Sequence, residues 1–291
     1  MKLRRIGTLH CNVGEGPLWD VLDQALYFVD LTAALLWRYE PAGGNFTKWK
    51  MPSMIGSLAL REGGGAIVAL QDGFHRFDFG RNATARLCNP QADNRTQFND
   101  GKVDRNGRFV AATQARSLTE TAQLGCLYRL DDDHTVTQLD EGFGIANGPC
   151  WSPDGRTFYF ANSLPKTIFA YDYDLDTGAV SNRRVFAETA EFGGIPDGAT
   201  VDAQGRLWVA VCGGGKIVCF NPDGSVARVV EVPVPLVSSV MFGGPDLNQL
   251  YFTSIDGAAL GMDVPQDPLS GGLFVIEGLG AKGLPEPRFA G

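Results

Sequence analysis

One pattern recurs along this chain and limits what it can fold into. Its clearest copy spans residues 147–162: Asn147, then Gly148-Pro149, an apolar stretch ending at Trp151, the turn Ser152-Pro153-Asp154-Gly155, and a β-branched and aromatic run at 157–161. Proline presets φ and glycine accepts positive φ, so Ser-Pro-Asp-Gly is strong turn chemistry. The run after it suits a strand. Counting the polar residue as position zero, Glu15 opens a copy leading to 26–30, Asn99 one leading to 109–113, and Asp197 one leading to 207–210. Weaker copies start at Gly56, leading to 66–70, and at Ser238, leading to 249–253. The starts fall about 40–50 residues apart, the period of propeller blades rather than of helical repeats.

Each copy is followed by more strand-like sequence ending in a turn. Residues 36–40 precede Pro41-Ala42-Gly43-Gly44, 168–172 precede Asp176-Thr177-Gly178, and 217–220 precede Asn221-Pro222-Asp223-Gly224. That makes three or four short strands per unit, with no amphipathic helical stretch. The pattern predicts an all-β chain folded as a six-bladed β-propeller. Length alone would admit two domains, but the repeats run nearly throughout, so one domain over 1–291 is expected. Residues 2–10 read as a further strand that closes the last blade and removes the sheet edges an open array would expose.

The net charge of −8 and the scattered basic residues offer no basic face for nucleic acid. No apolar core follows Lys2, Arg4 and Arg5, and no long apolar run occurs, so neither a signal peptide nor a membrane span is expected, and a cytoplasmic location is. In that compartment the six dispersed cysteines, none in a CxxC pair, are expected to be free thiols.

Equivalent positions of each blade sit at equal heights around a propeller's central channel. The position-zero residues precede the innermost strands and should all ring one channel mouth. Glu15, Asn99, Asn147 and Asp197 carry carboxylates or carboxamides there; Gly56 and Ser238 complete the set. One such residue before glycine is ordinarily a turn former. Four in register across separate repeats predict a hard-oxygen site for one divalent cation: Ca²⁺, Mg²⁺ or Mn²⁺, with Zn²⁺ admissible. His10, His75 and His134 show no ligand spacing, and there is no GxSxG elbow or phosphate-binding glycine loop. Asp20, Asp104, Ser152 and Asp202, five residues after four of the starts, read as strand-end turn residues. Trp19, Trp151 and Trp208 read as core between blades.

Several segments together resemble the senescence marker protein (regucalcin)/gluconolactonase family: Glu15-Gly16-Pro17-Leu18-Trp19, Phe98-Asn99-Asp100-Gly101-Lys102-Val103-Asp104, Asn147-Gly148-Pro149-Cys150-Trp151-Ser152, Pro196-Asp197-Gly198 and Phe242-Gly243-Gly244. The resemblance runs the length of the chain. It implies a propeller lactonase with one catalytic divalent cation and a small-molecule sugar lactone as substrate. The family's metal ligands fall on Glu15, Asn147 and Asp197, its general acid/base on Asp197, and a substrate-contacting asparagine on Asn99. By this reading the cation activates a water, Asp197 takes its proton, and the cation and Asn99 stabilise the tetrahedral intermediate. Many members carry arginine two positions before Asn99; here it is Gln97, a neutral amide in place of a fixed cation. A further substrate contact falls in 114–125, on Glu120 or Ser117. Other readings are a Ca²⁺-binding regulator without turnover and a phosphotriesterase acting on organophosphates. A monomer or homodimer is expected.

Overall fold

The computed structural model describes residues 1–91, 94–117, 123–263 and 267–291. Six four-stranded antiparallel sheets stand side by side. Strand β1 (Lys2–Arg5) belongs to the last of them. The first blade is β2 (Gly14–Asp20), β3 (Ala25–Asp30), β4 (Leu35–Glu40) and β5 (Asn45–Lys50). The second is β6 (Ile55–Leu60) to β9 (Ala83–Cys88), with β7 at Ala66–Leu70 and β8 at Gly73–Asp78. The third holds β10 (Thr96–Val103), β11 (Phe109–Ala115), β12 (Gly125–Leu130) and β13 (Val136–Phe143). The fourth holds β14 (Ala146–Trp151), β15 (Thr157–Asn162), β16 (Thr167–Tyr173) and β17 (Val180–Glu188). The fifth holds β18 (Ile195–Val201), β19 (Leu207–Cys212), β20 (Lys216–Phe220) and β21 (Val226–Glu231). The sixth runs β22 (Val237–Gly243), β23 (Gln249–Ser254), β24 (Phe274–Glu277), with β1 added as its outer strand. The chain start thus closes the ring as expected: Lys2 to Arg5 pair antiparallel with Glu277 to Phe274.

The core lies between blades. Six hydrophobic clusters each draw on two neighbouring sheets. The three tryptophans fall in three of these: Trp19 between blades six and one, Trp151 between three and four, Trp208 between five and six. Trp19 stacks on Tyr251 at 5.6 Å between ring centroids, adding to the area both rings bury. All six cysteines are free. Among the described residues the helical elements are two 3₁₀ turns (Ala190–Phe192 and Ala258–Leu260), and no helix is long and apolar enough to cross a membrane.

Each innermost strand carries a register break at position zero. The pairing skips between Glu15 and Leu18, Ile55 and Ser57, Phe98 and Gly101, Asn147 and Cys150, Pro196 and Ala199, and Val237 and Ser239. A bulge bends the strand and re-aims one side chain. Glycine follows three of the six position-zero residues, Glu15, Asn147 and Asp197. Gly148 has φ +61°, and a Cβ there would sit 2.9 Å from the Asp197 carbonyl oxygen. Gly198 meets a different demand: a Cβ would fall 1.9 Å from Ser239 Oγ, so it lets the inner strands of blades five and six approach.

At the opposite ends of the inner strands, Asp20, Asp104, Ser152 and Asp202 hold the hairpin turns, as their positions suggest. Asp104 Oδ1 accepts from the Asn106 and Arg108 amides, Asp202 Oδ1 from those of Gln204 and Arg206, and Ser152 Oγ from that of Thr157. The C-terminal segment is strapped across that face. Lys282 pairs with Ala203, Gly283 with Leu247, Phe289 with Leu60 and Glu62, and Ala290 with Gly107. Arg288 Nη2 reaches Asp20 at 2.5 Å, and Glu286 meets Arg105 at 3.2 Å. Glu286 and Pro287 cover the channel beneath Asp100 and Lys102, leaving a void of about 10 Å³. The channel is therefore blind, with its mouth on the position-zero face.

Candidate active site

The open mouth is a cavity of about 320 Å³, and Glu15, Gln97, Asn99, Asn147 and Asp197 all line it. Larger grooves of about 630 and 590 Å³ lie open along outer strands, and neither gathers the position-zero residues. Four blades deliver their position-zero side chains to one place, as the repeat predicts. The other two do not. Ser238 is buried and donates to the Gly14 carbonyl at 2.5 Å, linking blades six and one. Gly56 has no room for a side chain, since a Cβ would lie 2.3 Å from the Asn99 carbonyl oxygen. The expectation of a six-membered ring is thus corrected to four members: the remaining two positions join blades together. Glu120 lies outside the described residues; Ser117 is exposed just past β11.

Hydrogen bonds fix which atoms face the cavity. Asn99 Nδ2 donates to the Ala146 carbonyl at 3.0 Å and to Asn147 Oδ1 at 2.8 Å. A carbonyl can only accept, so the amide orientation of Asn99 follows, and its Oδ1 is left for the cavity. This corrects one expectation: with both Nδ2 hydrogens engaged, Asn99 presents an acceptor and cannot donate to a developing oxyanion. Asn147 is fixed by the same logic. Ser163 Oγ uses its one hydrogen on the Pro196 carbonyl at 2.7 Å. It can then only accept from Asn147 Nδ2, at 3.0 Å, which turns Asn147 Oδ1 inward. Glu15 Oε2 accepts from the Gly16 amide at 3.0 Å. The Gly198 amide and the Cys212 thiol beside Asp197 both favour its ionised form.

Beneath the ring lies Asp100, a buried carboxylate that the reading of the repeats passed over. It accepts from the Gly101 and Gly148 amides at 2.8 and 2.9 Å and so holds the bulge that presents Asn147. Burial raises all three carboxyls in this channel, and neighbouring carboxylates add to the effect on Glu15 and Asp197. Burial, then Asp197 and Asp100, push the Glu15 carboxyl well above the usual carboxylate range. Burial, then Asp100, do the same to Asp197. Asp100 is raised by burial and partly rescued by Lys102 and its two amide donors. The Cys212 thiol, beside Asp197 and Glu15, is pushed up by burial and by both carboxylates, which denies the cavity a thiolate nucleophile.

The donors suit a hard cation: two carboxylates and inward amide oxygens, with no basic group acting on Glu15 or Asp197. Among the described residues no cluster of three or more His, Cys, Asp and Glu forms a metal site, so the amide of Asn147 is essential to any such set. The raised carboxyls make a pH prediction. They ionise near pH 4 when unfolded and higher when folded, so the folded chain binds more protons in between. Stability of the chelator-treated protein should therefore fall as pH rises from about 4 through the raised folded values. Thermal unfolding across that range checks this, and Glu15→Gln should flatten the slope.

Gln114 and Arg116 also line the cavity and were hidden in a stretch that reads as loop. β11 in fact continues to Ala115, and Gln114 sits directly across from Gln97. Period-two alternation from Gln114 to Arg116 was the available signal. Arg116 Nε donates to the Thr96 carbonyl at 2.8 Å, placing a guanidinium at the rim of the blade where the family pattern expects one at position 97.

The model of the SMP-30/gluconolactonase/LRE-like region matches residues 13–256. Regucalcin of Xenopus laevis is 37% identical over 287 residues, covering 96% of this chain and 95% of that protein. Human regucalcin is 36% identical, covering 100% and 99%. Among solved structures, a luciferin-regenerating enzyme superposes with TM-score 0.91 at 29% identity, covering 99% of both chains. A calcium-binding protein, regucalcin, from Agrobacterium tumefaciens gives TM-score 0.91 at 25% identity, covering 99% and 97%.

Proposed function

Because the chain belongs to the SMP-30/gluconolactonase/LRE-like family, we propose that it hydrolyses a sugar-acid lactone to the free hydroxy acid, with one divalent cation held by Glu15, Asn147 and Asp197. The convergence of those three side chains with Asn99 on one blind cavity supports this reading above all else. A bound cation supplies Lewis-acid polarisation of the carbonyl and acidifies a water. Asp197, with the Gly198 amide and the Cys212 thiol beside it, accepts the proton of the attacking water. It returns that proton to the ring oxygen as the carbon–oxygen bond breaks. Asn99 Oδ1 accepts from the water or from a substrate hydroxyl. A lactone suits such a site, which lacks a usable Ser or Cys nucleophile.

The direct test is proton release from a panel of aldono-1,4- and 1,5-lactones after loading with Ca²⁺, Mg²⁺, Mn²⁺ or Zn²⁺. Turnover above the chelated control is the expected result; none with any metal would overturn the proposal. A second reading, a Ca²⁺-binding propeller without turnover, draws support from the calcium-binding regucalcin among the structural neighbours. Calorimetric Ca²⁺ binding together with a silent lactone panel would favour it.

Ser163 is expected to matter although it does not line the cavity. Ser163→Ala frees Asn147 to rotate and leaves Nδ2 without its acceptor. Orienting partners of this kind typically change metal affinity by about 10–100-fold. Calorimetric cation titration should show that loss; unchanged affinity would mean Asn147 is not a ligand.

A further inference from the structure

We infer that the cavity selects an amphipathic lactone, with an oxygenated edge toward Thr32 and blade three and an alkyl or deoxy edge over blades four to six, in preference to a fully hydroxylated aldonolactone. This deepens the lactonase reading and rests on it for the reaction, though not for the shape of the ligand.

Side chains two apart on a strand share a face. The residues two before each position zero therefore form a collar above the ring: Val13, Met54, Gln97, Ile145, Ile195 and Leu236. The first five line the cavity, and Leu236 is buried. Gln97 is the one polar member. Gln97 is 5% exposed, and its Oε1 is covered with no hydrogen-bond partner. Thr32 at the rim of blade one lines the same cavity, and its Oγ1 is likewise covered and unpartnered. Both side chains line the cavity, and an acceptor left without a donor is costly, so a ligand hydroxyl that either side chain turns to meet is favoured. Gln114, across the strand pair from Gln97, and Arg116 at the rim extend this polar sector along blade three.

The arc over blades four to six is different. Above Asn147 and Asp197 it consists of Ile145, Ile195, Cys212, Ile255 and Leu260. Cys212 offers only a weak thiol donor, beside Asp197. A hydroxyl turned toward that wall loses its water and gains no partner, whereas an alkyl group buries apolar surface. A sugar lactone bearing hydroxyls around its whole ring must place some of them there.

Binding can be separated from turnover with δ-lactams, which keep the ring and carbonyl but are not opened by the reaction. The probes are gluconolactam, 6-propyl-δ-lactam, and 6-propyl-δ-lactam carrying one ring hydroxyl at C3, C4 or C5, measured by calorimetry on the full chain with Ca²⁺. The matching lactones are assayed alongside. At least one mono-hydroxylated propyl lactam should bind about tenfold or more tighter than gluconolactam and than the hydroxyl-free compound. Gln97→Leu should erase the advantage over the hydroxyl-free compound, and Gln97→Arg should narrow the gap to gluconolactam. Equal or tighter binding of gluconolactam by the native chain, or no binding of any lactam, overturns the inference. Lactones turned over with the polyol preferred would sink this inference while leaving the lactonase reading intact. The expected lactam order with no lactone hydrolysed would do the reverse.

Discussion

The Asp197→Asn protein is expected to hydrolyse lactones at least about a hundred-fold more slowly than the native chain, the usual size of a general-base effect. Its stability should move the other way. Burial and Asp100 disfavour the ionised Asp197 carboxylate. The amide has the same shape and no charge, so near neutral pH the substitution removes a penalty. The chelated variant should unfold at the same temperature as the chelated native chain, or higher. Activity lost with stability kept or gained is the signature of a functional group held at a cost to the fold. Rates are to be compared at saturating cation, because the substitution also removes a charged ligand. Native-like turnover under those conditions would show that Asp197 is not the base. A lower unfolding temperature would show that the surroundings favour its charge.

Phe289→Ala is expected to cost about 3–5 kcal/mol, as for other fully buried aromatic residues cut to alanine. Phe289 is completely buried in the cluster between blades two and three, among Ala59, Phe74, Phe98 and Phe109. Its backbone is tied to Leu60 and Glu62 at 2.7 and 2.9 Å. For a chain of this size a loss of that order lowers the thermal midpoint by about 5–15 °C. The position-zero face lies at the other end of the channel, so turnover per folded molecule well below the midpoint should change little. A shift below about 2 °C would show that the strap decorates the base rather than sealing it.

Much of this was legible in the sequence because it is written locally. Turn chemistry at Ser152-Pro153-Asp154-Gly155, alternation in the strands, and the repeat period place each hairpin within a residue or two. Position zero was legible for the same reason, since equivalence in a repeat becomes equivalence in height. Gly56 and Ser238 failed that rule because their surroundings, the Asn99 carbonyl and the Gly14 carbonyl, belong to neighbouring blades. Gln114 and Arg116 were missed because a glycine- and threonine-containing stretch hides the end of β11. Asp100 stood in plain view beside Asn99, but nothing local says that its carboxylate is buried under a second blade's Gly148 amide.

What the sequence by itself determined is the number of blades, the closing strand, and the four polar residues brought to one mouth. These follow from periodicity, which a chain cannot carry without folding each unit alike. Only the tertiary structure decided which way the amides of Asn99 and Asn147 face, that the carboxyls of Glu15 and Asp197 are raised, and which end of the channel is closed. Each of those depends on a partner in another blade or in the strap. Residues far apart in sequence set the local field and supply the acceptors, and no pattern within one repeat records them.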